Sequence, residues 1–318
     1  MGCMDKQILK SAILRTLAYF DLSNYPLTAT EINQWLYQLE APKYHELLSV
    51  LQEMVSQNQL EEKFGFFYLP NREVVVEERR RSLVISELKL KKARRAVKFI
   101  SHIPFLRAIF VCNTVAAGSA LEESDIDFFI IAQAGRIWLV RFFTNLILRF
   151  FGLRTYGEKQ RDKICLSFFV DTNNLNLSKL QAVEDDIHFA YWSFQMLPIY
   201  DPGNYWKKFL SANYWIKKYI PNFSNNAVYS KIVNAGPISK IWKKIWEVMW
   251  FGAYGDLLEK QAREWQILKM KLSIKDKTAI KDNGVVFNEG VIKLHEHDSR
   301  SKIKNAWQDK TAQLLKKI

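Results

Sequence analysis

Asp125 and Asp127 are separated by one residue, Ile126, and are followed by Phe128-Phe129-Ile130-Ile131. Side chains alternate across an extended strand, so acids at i and i+2 project to the same side. Two parallel carboxylates make a hard-oxygen site suited to Mg²⁺ (or Mn²⁺), which uses one or two carboxylates and takes its other ligands from water and substrate phosphates. The apolar run behind the pair anchors the strand in a core and fixes the acids at its mouth. An Asp-x-Asp alone is common on protein surfaces. Here it is framed by an apolar strand at 105–115, a short small-residue segment, Ser124 immediately before the pair, and a second apolar strand after it.

In this frame the run from Asn113 to Ile131 resembles the signature of the DNA polymerase β nucleotidyltransferase superfamily, which includes kanamycin nucleotidyltransferase and small antitoxin-type enzymes. That signature is a strand, a Gly-Ser, about ten small and polar residues, then Ser-Asp-x-Asp and an apolar strand. Gly118-Ser119 matches the Gly-Ser in type but leaves only five residues before Asp125; Asn113-Thr114 leaves ten. The register therefore places Asn113-Thr114 at the Gly-Ser position and Gly118-Ser119 in the turn downstream. Asn is among the few non-glycine residues that accept left-handed backbone angles. Thr114 keeps a hydroxyl for a phosphate oxygen, beside backbone N–H groups at a helix start. The resemblance implies Asp125 and Asp127 as catalytic metal ligands for Mg²⁺ (or Mn²⁺). It implies Asn113, Thr114, Gly118 and Ser124 around a nucleoside triphosphate, and transfer of a nucleoside monophosphate to an acceptor hydroxyl on RNA, a protein or a small molecule.

Active members of that superfamily carry a third carboxylate on the next strand, which completes the metal site and accepts the proton of the incoming hydroxyl. The matching segment here is Lys163-Ile164-Cys165-Leu166-Ser167-Phe168-Phe169-Val170-Asp171, with Cys165 or Ser167 where the acid is expected. Regular alternation puts Asp171 on the face of Ser167, about 13 Å further along. Asp171 is thus a weak substitute. Arg136, at the next helix start, is a second accessory candidate, for a phosphate contact. The missing acid leaves a second class of function open, a degenerate site that binds nucleotide or RNA without turning it over.

These residues need a scaffold. Apolar residues at helical spacing over 7–19, a Thr28-Ala29-Thr30-Glu31 capping box opening a helix to 39, and an apolar face on 44–57 predict three helices. A hairpin over 60–69 follows. Three helices and a hairpin resemble a winged helix, which raises a third class, a transcriptional regulator; the third helix carries Glu46 and Glu53 as well as Lys43 and His45 and has no basic run. A charged helix spans 77–103, with six Lys and Arg between Lys89 and Lys98 that either face solvent or rim the nucleotide site. Strands at 105–115, 124–131 and 164–170, with helices at 136–151 and 179–196, predict a mixed α/β sheet domain. Residues 237–272 form a long helix that Gly252 and Gly255 can kink, and a closing helix starts at Ser301. The division expected is a winged-helix-like module (1–75), a nucleotidyltransferase domain of α+β class (76–200) and a helical region (201–318).

The net charge of +13 favours anionic partners: nucleotides, nucleic acid or an acidic membrane surface. Three scattered cysteines fit neither a disulfide framework nor a zinc site, and they favour a reducing cytoplasm. Cys112 and Cys165 read as small core residues. The first ten residues lack a signal-peptide core. The apolar stretch 137–153 is about a turn short of a membrane span and is interrupted by Arg141 and Arg149, so it reads as a buried helix rather than a span. His295-Glu296-His297-Asp298 lacks the spacing of a helical metal motif. The Tyr-Trp-Lys-Lys and Tyr-Trp-Ile-Lys-Lys runs near 205–219 read as packed aromatics with lysines reaching solvent.

Overall fold

Helix α1 (Cys3–Asp21) leads into strand β1 (Leu27–Thr28), helices α2 (Ala29–Trp35) and α3 (Tyr44–Ser56), and the hairpin β2 (Glu61–Lys63) and β3 (Phe66–Tyr68). The computed structural model that shows this describes residues 3–155, 160–223, 232–273, 285–294 and 299–316. The expected capping box forms: Glu31 N donates to Thr28 Oγ1 at 3.2 Å and Thr28 N donates to Glu31 Oε2 at 2.8 Å. Helix α2 stops at Trp35, short of the expected 39, because the Tyr37 N–H is taken by Thr16 Oγ1 at 3.0 Å and Gln38 turns left-handed (φ 53°). β1 pairs with the hairpin in the order β1-β3-β2.

Next come α4 (Val74–Ile100), β4 (Leu106–Cys112), the short α5 (Asn113–Ala117), β5 (Ile126–Ala132), α6 (Ile137–Phe150), β6 (Ile164–Asp171), α7 (Ile187–Phe194) and β7 (Leu197–Tyr200). The remaining elements are α8 (Tyr205–Ala212), α9 (Pro237–Met249), α10 (Ala253–Ser273), β8 (Val285–Phe287), β9 (Val291–Leu294) and α11 (Arg300–Leu315). Six strands form one mixed sheet in the order β7-β4-β5-β6-β9-β8, with β5 and β6 parallel and the other neighbours antiparallel. Both faces are covered, which is why β4, β5 and β6 read as continuous apolar runs. On one face Phe110, Phe129 and Phe168 pack with Tyr191 and Phe209 into a core that continues through Leu17 and Leu51 of the N-terminal elements. On the other, Ile109, Phe128, Ile130 and Leu166 pack against Val97 of α4 and Trp138 of α6. Helix α6 is therefore the buried helix expected from 137–153, and no helix among the described residues is long and apolar enough to cross a membrane.

Three local expectations change. The helix over 179–196 contracts to a 3₁₀ turn at Ser178–Leu180 and α7, because Asp186 caps the later start: its carboxylate accepts from Phe189 N at 3.0 Å. The long helix at 237–272 breaks at Gly252 (φ 80°) into α9 and α10. The region after 201 is not purely helical, since the β-branched runs Val285-Val286-Phe287 and Val291-Ile292 form a hairpin that extends the sheet beyond β6. Helix α11 returns to the N-terminal elements, where Trp307 Nε1 donates to Arg15 O at 3.0 Å. The segment His295 to Asp298 lies outside the described residues.

Candidate functional site

Asp125 directly precedes β5 and Asp127 is its second residue. Asp127 pairs across the sheet with Cys112, the residue before Asn113, so the acids stand beside the start of α5. Asn113 takes a left-handed angle (φ 57°), which asparagine tolerates better than most side chains. Its side chain does not project into open space. Its oxygen accepts from Trp192 Nε1, and its amide donates to Asp127. Trp192 is itself fixed by stacking on Phe168 and Phe189, both with ring centroids 5.4 Å away. Thr114 is exposed in the first turn of α5.

The loop before the acids is clamped from α4. Lys89 is buried, and its ammonium donates to Glu122 O (2.9 Å), Ser124 O (2.8 Å) and Asp162 Oδ1 (2.9 Å). The basic run 89–98 thus divides: Lys89 fixes the loop, whereas Lys91, Lys92, Arg95 and Lys98 are exposed. Ser124 uses its hydroxyl to accept from Leu121 N at 3.0 Å, closing the turn that delivers Asp125. Gly118 ends α5 at φ 72°, where Arg79 binds its carbonyl; an added Cβ would sit 2.9 Å from the Arg79 guanidinium. Tyr25 Oη donates to Ala117 O at 2.5 Å, so the N-terminal elements brace the same turn.

β6 supplies the other wall. Asp127 pairs with Cys165, and carboxylate oxygens of both acids lie with the Cys165 sulfur within 4.8 Å of one another. Ser167 Oγ donates to Asp127 Oδ1 at 3.5 Å. Cys165 and Ser167 share this face by ordinary alternation, and β6 then bulges, which brings Phe168 to the same face: Asp127 to Phe129 on β5 is matched by Cys165 to Phe168 on β6. The extra residue reverses the alternation beyond it. Asp171 therefore pairs with Ala132, on the face of Ile126, Phe128 and Ile130, and not on the face of Asp127 as unbroken alternation predicts. It also lies five residues along from the acid pair, about 16 Å, and accepts from Asn173 N (2.9 Å) and Asn174 Nδ2 (2.8 Å). Arg136 follows the far end of β5. It is buried, binds Asp256 at 2.7 Å and Trp250 O at 3.3 Å, and stacks on Phe105, which ties α10 to the sheet.

The electrostatics of the pair follow from its burial. Burial, and then the charge of Asp125, raise Asp127 from 3.8 to about 6, against hydrogen bonds from Asn113, Cys165 and Ser167. Burial also raises Asp125, against the Cys165 thiol, its own backbone amide, Arg154 and Lys89. Burial and both acids push the Cys165 thiol up, so it stands here as a neutral donor. Arg154, hydrogen-bonded to Ile164 O at 3.0 Å and Asn145 Oδ1 at 3.0 Å, places a guanidinium charge in the field of both acids. Two hard oxygen donors at this spacing fit Mg²⁺ or Mn²⁺. The sulfur within the same radius is a soft donor that suits Mg²⁺ poorly.

Of the residues singled out in the sequence, Asp125, Asp127 and Asn113 converge, and Thr114 stands at the same helix start. Ser124 and Gly118 shape the adjoining turns; Asp171 and Arg136 lie elsewhere. Sequence reasoning missed Lys89 as a clamp, Arg154 and Trp192. No local pattern marks them, because each comes to the surroundings of the acids from a separate element. Comparison with protein-family models, with curated proteins and with solved structures finds no match for the chain.

Proposed function

We propose that the chain binds a nucleoside triphosphate with Mg²⁺ (or Mn²⁺) at Asp125 and Asp127 and transfers a nucleoside monophosphate to an acceptor hydroxyl. The observation that carries this reading is the convergence of two part-repelling carboxylates with the Asn113 amide at one strand mouth. A bound divalent ion would supply the charge that offsets both the carboxylate pair and the phosphates. The chain's own residues do the rest. Asn113, Ser167 and Cys165 hold Asp127 in place by donating to it. Lys89 sets the height of Asp125 by fixing the preceding loop. Thr114 offers a hydroxyl at the start of α5, and Arg154 offers a fixed positive charge. In the reaction the acceptor oxygen bonds to the α-phosphorus, the bond to the β-phosphate oxygen breaks, pyrophosphate leaves, and the hydroxyl proton passes to a base.

A second reading, nucleotide binding without transfer, is favoured by one observation: the partner of Asp127 on β6 is Cys165, with Ser167 beside it, and neither is an acid. Incubation with α-labelled triphosphates, Mg²⁺ or Mn²⁺, and candidate RNA, protein and small-molecule acceptors separates the two. Label transfer abolished by Asp125→Ala supports the enzyme. Cation-dependent binding, lost in the same variant, without transfer supports the second reading. Absence of nucleotide binding at millimolar concentrations refutes both.

A further inference from the structure

Helix α9 is built the wrong way round for a helix that merely covers a core. Its inward side carries the polar groups. Glu247 accepts from Phe105 N (2.6 Å) and from Arg107 Nη1 (2.7 Å), and Lys243 binds Leu106 O. Its outward side carries Ile238, Ile241, Trp242, Ile245, Val248 and Met249. All six are exposed, Ile238 at 83%, and no residue of the helix is buried. At about 100° per residue these six positions fall in one unbroken arc of roughly 120°. Lys244, also exposed, borders that arc on one side, and Lys240, exposed as well, lies further round on the side of Glu247. The helix is not loosely attached. Trp242, Trp246 and Trp250 form a chain of ring contacts (5.5 and 4.9 Å) that ends on Phe143 of α6 (5.3 Å).

A continuous apolar stripe of this kind on a firmly held helix calls for an occupant. The geometry points to an anionic lipid surface, with α9 lying in the plane of the interface. Thirteen residues span about 20 Å, too short to cross a bilayer but suited to lie along one. The apolar arc would enter the acyl boundary, Trp242 would sit at headgroup depth, and Lys244 at the edge of the arc would meet anionic headgroups. The only acid of the helix, Glu247, is turned inward and does not oppose this. A symmetric dimer through α9 fits less well, because it would bring Lys244 of the two copies together at the middle of the helix. None of these residues belongs to the acid-pair site.

Flotation of the full chain with vesicles tests it. The chain is expected to rise with vesicles of phosphatidylcholine and phosphatidylglycerol and to bind those of phosphatidylcholine alone more weakly. Ile241→Asp with Ile245→Asp should cut binding by at least about a hundredfold, from the loss of two large apolar side chains. Lys244→Glu should lower binding to anionic vesicles by roughly tenfold while sparing the neutral ones. All three positions are exposed, so circular dichroism and melting temperature should stay at wild-type values. Wild-type protein that remains at the bottom of the gradient with anionic vesicles at low salt overturns the proposal. So does an Asp variant that floats like wild type. So does a solution dimer abolished by the same variant in a chain that binds no vesicles; that result would assign the stripe to self-association.

Discussion

Replacing Asp127 by asparagine should make the cation-free protein more stable while removing its affinity for the cation. Burial and the neighbouring Asp125 raise Asp127 from 3.8 to about 6. A carboxyl with a raised pKa binds its proton more tightly in the folded state than in the unfolded one. The native state is therefore penalised as pH climbs from about 4 past 6, and the full penalty stands at neutral pH and above. At about 1.4 kcal/mol per pH unit, the displacement from 3.8 to about 6 corresponds to about 3 kcal/mol. Asparagine keeps the shape and an accepting oxygen for Asn113 and Ser167 but carries no charge. The difference in stability between Asp127→Asn and wild type, measured by urea unfolding in EDTA, should be near zero at about pH 4 and grow to about 2–3 kcal/mol at about pH 8. In a thermal scan of a chain of 318 residues that gain is roughly 3–5 °C. Adding millimolar Mg²⁺ or Mn²⁺ should reverse the order, since a ligand that binds only the native state stabilises only the chain that binds it. A variant no more stable than wild type at pH 8 in EDTA would refute the reasoning, because it would mean that the paired charges cost the fold nothing.

Lys89→Met should lower stability by about 2–4 kcal/mol, since a buried ammonium with two carbonyl partners and one carboxylate is lost; a melting temperature unchanged from wild type would show that the loop before Asp125 is held by other means. In the same variant, triphosphate affinity should fall along with stability, because Ser124 no longer fixes Asp125. Arg136→Ala should cost only about 1–2 kcal/mol, because its partner Asp256 is largely exposed, and should leave nucleotide affinity within about twofold of wild type by titration. A tenfold loss of affinity in that variant would put Arg136 at the phosphates after all.

The local features were legible in the order of residues alone. The capping box at Thr28, the apolar runs of β4, β5 and β6 and the placing of Asp125 with Asp127 on one side all follow from short-range rules: alternation and capping. Each acts within a few residues, so each is written in contiguous sequence. What depends on two elements meeting was decided only by the tertiary structure. The bulge at Cys165–Phe168 turns Asp171 to the opposite face, because a single extra residue reverses a period of two and no composition signals it. Lys89 sits within a run of basic residues that looks uniformly solvated, yet Glu122, Ser124 and Asp162 take it out of water. Residues 285–294 find their place only because β6 has an open edge to pair with. The periodicity of 237–249 likewise gives an apolar face but not its direction, and it is the hold of Phe105 and Leu106 on Glu247 and Lys243 that turns that face outward.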